Sequence, residues 1–177
     1  MIQRKRAVPS GIATLVIMVG AAFTLGVSMA AGHGNEQGKA QATIGSANVT
    51  IEYGRPTLKG RDVTKLIAPG QMWRIGADMP TTLESDADLD FGGTRVPKGK
   101  HVLLARLVAP GQWSLVVSSQ PVNHYEPSAK LAEVAMEVQQ QSPPVEELAI
   151  SLSNEAGRGV IVISWGTQKL VAAFRPA

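Results

Sequence analysis

From about residue 43 onward, apolar and polar positions alternate with a period of two, and the alternating runs are separated by short clusters of glycine, proline and asparagine. Such a pattern sends successive side chains to opposite faces of a strand, so each run predicts a strand with one buried face. Val49, Ile51 and Tyr53 alternate with Thr50 and Glu52, which predicts a first strand ending at Gly54-Arg55-Pro56. Leu83, Ala87, Leu89 and Phe91 alternate with Glu84, Asp86, Asp88 and Asp90, which predicts a second, closed by Gly92 and Gly93. His101 to Val108 and Trp113 to Ser119 flank Ala109-Pro110-Gly111-Gln112, a pairing that suits a hairpin with a reverse turn. Val134, Met136 and Val138 alternate with Glu133, Ala135 and Glu137 until Pro143 and Pro144. A helix is the rival there, because Ala, Glu, Met and Lys favour helices. Leu148 to Leu152, Val160 to Trp165 and Leu170 to Phe174 complete the strands, with a turn over 154–159. A short helical turn is expected around Arg61 to Ile67, and little other helix. About eight strands with short connections predict an all-β domain over 43–177, a two-sheet β-sandwich of jelly-roll or immunoglobulin-like kind, because two sheets bury their apolar faces against each other.

The beginning of the chain follows a different pattern. Arg4, Lys5 and Arg6 precede an uncharged run from Gly11 to Ala31, which ends in the small residues around Ser28-Met29-Ala30-Ala31. A basic start, an apolar stretch and small residues form the pattern of a secretory signal peptide over residues 1–31. An uncleaved membrane anchor through residues 11–31 is the alternative, since about 20 apolar residues span a bilayer. Both readings export the domain, to the periplasm or the extracellular side. Residues 32–42, polar and glycine-rich, read as a flexible leader that contains His33.

Charge and composition then narrow the function. The net charge of +3 comes entirely from Arg4, Lys5 and Arg6, because the fourteen remaining Lys and Arg match the 14 Asp and Glu. A neutral exported part carries no electrostatic footprint for nucleic acid. With no cysteine in the 177 residues, disulfides, thiolate metal sites and a cysteine nucleophile are excluded. No phosphate loop, dinucleotide fingerprint or Gly-x-Ser-x-Gly occurs. The acidic run from Glu84 to Asp90 resembles the start of a calcium loop, but the twelfth position from Asp86 is Pro97 instead of a bidentate glutamate. A charged solvent face on a strand is the simpler reading. No cofactor and no metal are expected.

Candidate chemistry gathers between residues 53 and 78. Arg55, Arg61 and Arg74 lie close in sequence beside glycine or aromatic residues, and a guanidinium is suited to forked hydrogen bonding of a carboxylate or phosphate. One reading is a ligand pocket made by Tyr53, Arg55, Arg61, Trp73, Arg74 and Asp78, which would take an unknown small ligand or an envelope protein. The other is structural, with the arginines paired internally to pin long loops. A hydrolase or metal-assisted enzyme using Asp78, His101 and His124 is the alternative function, and it requires those three to converge. Tryptophans 73, 113 and 165 are expected to pack rather than to stack on sugars.

The residues Glu52-Tyr53-Gly54-Arg55-Pro56, Lys59-Gly60-Arg61, Met72 to Asp78, Thr81-Thr82 and Val96-Pro97-Lys98-Gly99 before Trp113 occur in an order that resembles the exported bacterial family called domain of unknown function 2911. The resemblance is firm over residues 48 to 120 and looser to 174. It implies a secreted or envelope β-domain with no established activity. The chain departs from the family's usual pattern at Lys98, at His101, where tyrosine is usual, and at Asp78-Met79-Pro80.

Overall fold

β-Branched and aromatic side chains at alternate positions pack well on a pleated, half-buried surface, and they shape the described residues, 35–177, of this computed structural model. The expected signal peptide or anchor, and the leader before Asn35, lie outside the described residues. Ten strands follow in order: β1 (Glu36–Ile44), β2 (Ala47–Arg55), β3 (Met72–Trp73), β4 (Thr82–Ser85), β5 (Leu89–Phe91), β6 (Thr94–Val96), β7 (Gly99–Ala109), β8 (Gln112–Ser118), β9 (Lys130–Glu155) and β10 (Arg158–Pro176). The expected helical turn appears as one turn of 3-10 helix at Val63–Lys65, and two more such turns lie at Val122–His124 and Pro127–Ala129.

The domain is all-β, and its strands pair antiparallel in one hydrogen-bonded sheet of order β1-β2-β4-β7-β8-β9-β10-β5-β6, with β3 beside β7. β1 also touches β9 and β10 without pairing to them, and a bridge from Thr57 to Glu147 joins the chain after β2 to β9. The first strand of the pairing order therefore packs against β9 and β10, further along the same order. Val49, Ile51 and Tyr53 from β2, Leu103, Ala105 and Leu107 from β7, Trp113, Leu115 and Val117 from β8, and Ile161, Ile163 and Trp165 from β10 share one core.

The predicted hairpin is β7–β8, with Leu103 opposite Val117, Ala105 opposite Leu115, and Pro110 and Gly111 in the turn. Gly111 takes φ +73°, the left-handed geometry that the residue after a turn proline needs.

Three expectations need correction. The stretch expected as a flexible leader over 32–42 is strand from Glu36 onward, because residues 36–44 form β1, paired with β2 along its whole length. Polar side chains hid this edge strand; its inward residues are the small Ala40 and Ala42 and finally Ile44, while the ring of Tyr53 lies over Gly38. The single strand expected from Leu83 to Phe91 is broken into β4 and β5. There the Ser85 hydroxyl donates to the Ala87 carbonyl and accepts from its N–H. Asp86 accepts two hydrogen bonds from Asn48, and Asp88 accepts from the Lys98 N–H and the Arg95 side chain. These carboxylates stitch turns together and do not form an idle charged face. Finally, Pro143 and Pro144 do not end the segment, which is strand and not helix. β9 runs past them because residues 141–144 bulge out of register with β10, and the Gln141 amide donates to the carbonyls of Gly166 and Gln168 in place of the missing backbone donors.

Candidate functional site

The six residues expected to frame a ligand are placed in three different settings. Tyr53 leaves β2 on the core side, and its hydroxyl accepts from the Ile150 N–H at 2.9 Å and donates to the Ile150 carbonyl at 3.3 Å. Trp73 lies opposite Ala105, stacks on Trp165 with ring centroids 5.7 Å apart and meets Trp113 edge-on at 6.0 Å. The expected aromatic wall is therefore core packing: strand alternation turns both rings inward. Arg55 is paired with Glu147 at 2.8 Å and Glu36 at 3.3 Å. Arg61 donates to the carbonyls of Leu58 and Thr57, closing the turn after β2. Only Arg74 and Asp78 remain together.

Their position is set by contact between two motifs. A Cβ on Gly54 would strike the Ala77 carbonyl, and one on Gly76 would come within 2.9 Å of the Gly54 carbonyl oxygen. Glycine at both places lets the 74–80 loop lie directly on β2. The buried Thr81 hydroxyl donates to the Ile75 carbonyl, and Ile75, fully buried at φ +48°, plugs the loop into the core. The motif Trp73-Arg74-Ile75-Gly76-Ala77-Asp78 thus sends Trp73 and Ile75 inward and leaves Arg74 and Asp78 exposed.

Seated in this way, the loop forms one wall of a cleft of about 390 Å³. Arg74, Asp78 and Pro80 stand on one side, Pro121 to His124 on the other, and Val102 and Leu104 form the floor. The floor lies on the face of β7 opposite the core, because Val102 and Leu104 alternate with the core residues Leu103 and Ala105. Asp78 Oδ2 accepts from both the backbone N–H and the side-chain amide of Asn35, at 2.8 and 3.1 Å. Those two bonds, and then the nearby Arg74 guanidinium, hold its carboxyl below the usual range. Arg74 makes no hydrogen bond or ion pair among the described residues.

His101 is not in this cleft. It pairs with Leu83 and so shares the face of Leu83 and Leu103, and its Nε2 donates to the Pro97 carbonyl at 2.7 Å. Asp78 and His124 line one cavity while His101 points to the other face, so the three residues of the alternative enzyme reading do not converge. Among the described residues no group of three His, Cys, Asp or Glu could hold a metal ion. The tryptophan cluster encloses only about 10 Å³, with the Trp165 N–H and Gln168 Oε1 unpartnered, which is room for no more than a water. On the outer face beyond the cleft, Glu133 joins Arg106 at 2.9 Å, Lys130 at 2.9 Å and the Ser114 hydroxyl at 2.6 Å. Burial pushes its carboxyl up, but these partners outweigh that and hold it down.

The sequence reading missed Val102, Leu104 and the Pro121–Asn123 part of the wall, and named His124 only for the enzyme reading. One signal was present: from Val102 to Val108 every position except Arg106 is apolar, a run that marks a strand with both faces covered.

Fold and site together define an all-β domain that carries a loop-walled cleft on the outer face of its sheet. The family described as "Protein of unknown function (DUF2911)" matches residues 35–174, and the chain belongs to it. Comparison with curated proteins and with solved structures gives no significant match.

Proposed function

We propose that this is an exported binding domain that holds a small ligand in the cleft between residues 74–80 and 121–124. The observation that carries the reading is the state of the arginines. Arg55 and Arg61 spend their hydrogen-bonding capacity on carboxylates and carbonyls, whereas Arg74, at the rim of an apolar floor, makes no hydrogen bond or ion pair among the described residues. A cleft with an apolar base and a few charged groups at its edge is the usual form of a small-molecule site. Export follows from the basic and apolar start of the chain, and N-terminal sequencing of protein from the bacterial envelope should begin at Ala31 or Gly32.

A thermal-shift screen of the protein against metals, carboxylates, phosphates and sugars tests the binding reading. Organic carboxylates should raise the melting temperature in a concentration-dependent way, and the rise should disappear in Arg74→Ala. A chelator that lowers the melting temperature, or a shift that survives Arg74→Ala unchanged, would overturn it.

A further inference from the structure

We propose that the ligand is a zwitterion with an aliphatic body, a free α-amino acid of the leucine type, held between Arg74 and Asp78. The inference rests on the reading of this cleft as a binding site. Opposite charges line the same cavity, yet no ion pair within 4.0 Å joins them. Arg74 is nevertheless near enough to act on the Asp78 carboxyl. The gap is one that a molecule carrying both charges can bridge. Asp78 is also half used. Asn35 occupies Oδ2 with two hydrogen bonds, and Oδ1 accepts none among the described residues. Asn35 thereby fixes the carboxylate and keeps it ionised below the ordinary value of 3.8, so the charge persists across the neutral and mildly acid range.

Each part of such a ligand has a counterpart. Its carboxylate would lie against the forked donors of Arg74, and its ammonium would donate to Asp78 Oδ1. Its side chain would lie on Val102, above the buried Leu104, between Pro80, Pro121 and Val122, which are all apolar. A cavity of about 390 Å³ is at the small end of ligand sites, which run from about 300 to 1,000 Å³. The same pair of charges discriminates. A fatty acid would bring a second anion toward Asp78, and an alkylamine would bring a second cation toward Arg74, so a molecule with one charge meets repulsion from the other group.

Titration of the full chain, followed by calorimetry and by the backbone amide resonances of Arg74, Asp78, Val102 and His124, tests this with four probes. They are L-leucine, 4-methylpentanoate, which lacks the ammonium, 3-methylbutylamine, which lacks the carboxylate, and glycine, which lacks the side chain. Leucine should bind and shift those resonances, with each of the other three at least tenfold weaker. Asp78→Asn should lose leucine at least tenfold while 4-methylpentanoate binds as well as before or better, a crossover that mere damage to the loop would not produce. Equal binding of leucine and 4-methylpentanoate to the unmodified chain would overturn the zwitterion proposal and leave the cleft as an anion site. If no probe moves the four resonances while another compound of the thermal screen does, the amino-acid proposal falls and the binding reading stands. If nothing in either experiment moves them, both fall.

Discussion

The two faces of β7 show how one strand serves two purposes. On the inner face Leu103, Ala105 and Leu107 are buried among Trp73, Trp113 and the aliphatic residues of β8 and β10. On the outer face Val102 is half-buried and Leu104 buried beneath the loops that flank the cleft, and the charged groups beside them are partly unspent. The difference teaches that the aromatic and arginine chemistry of a motif need not mark its site. Here most of it builds the support, and the chemistry left over lies on the other side of the sheet.

The contrast predicts that substitutions on the inner side cost stability and those on the outer side do not. Trp73→Ala removes a ring from a three-tryptophan cluster and should cost about 3 kcal/mol or more in chemical denaturation, with loss of the near-ultraviolet signal of the cluster. A mild change there would mean that Trp73 is not core. Tyr53→Phe keeps the ring over Gly38 but leaves the Ile150 N–H and carbonyl without their hydroxyl partner, at a cost of about 1–3 kcal/mol by the same measurement.

Glu133 on the outer face provides an intermediate case. Its folded carboxyl is held below the ordinary value of 4.5, so its contribution is complete above that value and is lost as pH falls through the folded pKa. Glu133→Gln should therefore flatten the acid limb of a melting-temperature profile below about pH 4.5, where the parent chain loses this contribution. The smallest effect belongs to Arg74→Ala, whose stability should stay within about 0.5 kcal/mol of the parent in urea unfolding. A larger loss would place Arg74 with the structural arginines.

Strands with a strong one-sided pattern were legible from sequence. β2 and the β7–β8 hairpin fell where Val49-Ile51-Tyr53 and Ala109-Pro110-Gly111-Gln112 placed them. β1 was not, because its edge position tolerates Gln37, Lys39 and Gln41, and its buried side is mostly small residues. The break at 86–88 was hidden because it depends on Asn48, 38 positions from Asp86. The candidate site was legible at Arg74 and Asp78 and, through the enzyme reading, at His124. Its floor and second wall come from β7 and from the loop after β8, and only pairing brings residues so far apart in the chain onto one surface. His101 and His124 looked equivalent in sequence, but register turns His101 to the core side of β7 while the loop after β8 carries His124 to the cleft.

The clamp between Asn35 and Asp78 has a practical corollary. A fluorophore or affinity tag joined immediately upstream of Asn35 begins at the mouth of the cleft, whereas one at Ala177, whose N–H is bonded to the Asp88 carbonyl, begins beside the turn between β4 and β5. The front attachment point is therefore the one suited to a reporter of the proposed site, and the rear one suits immobilisation that leaves the cleft open.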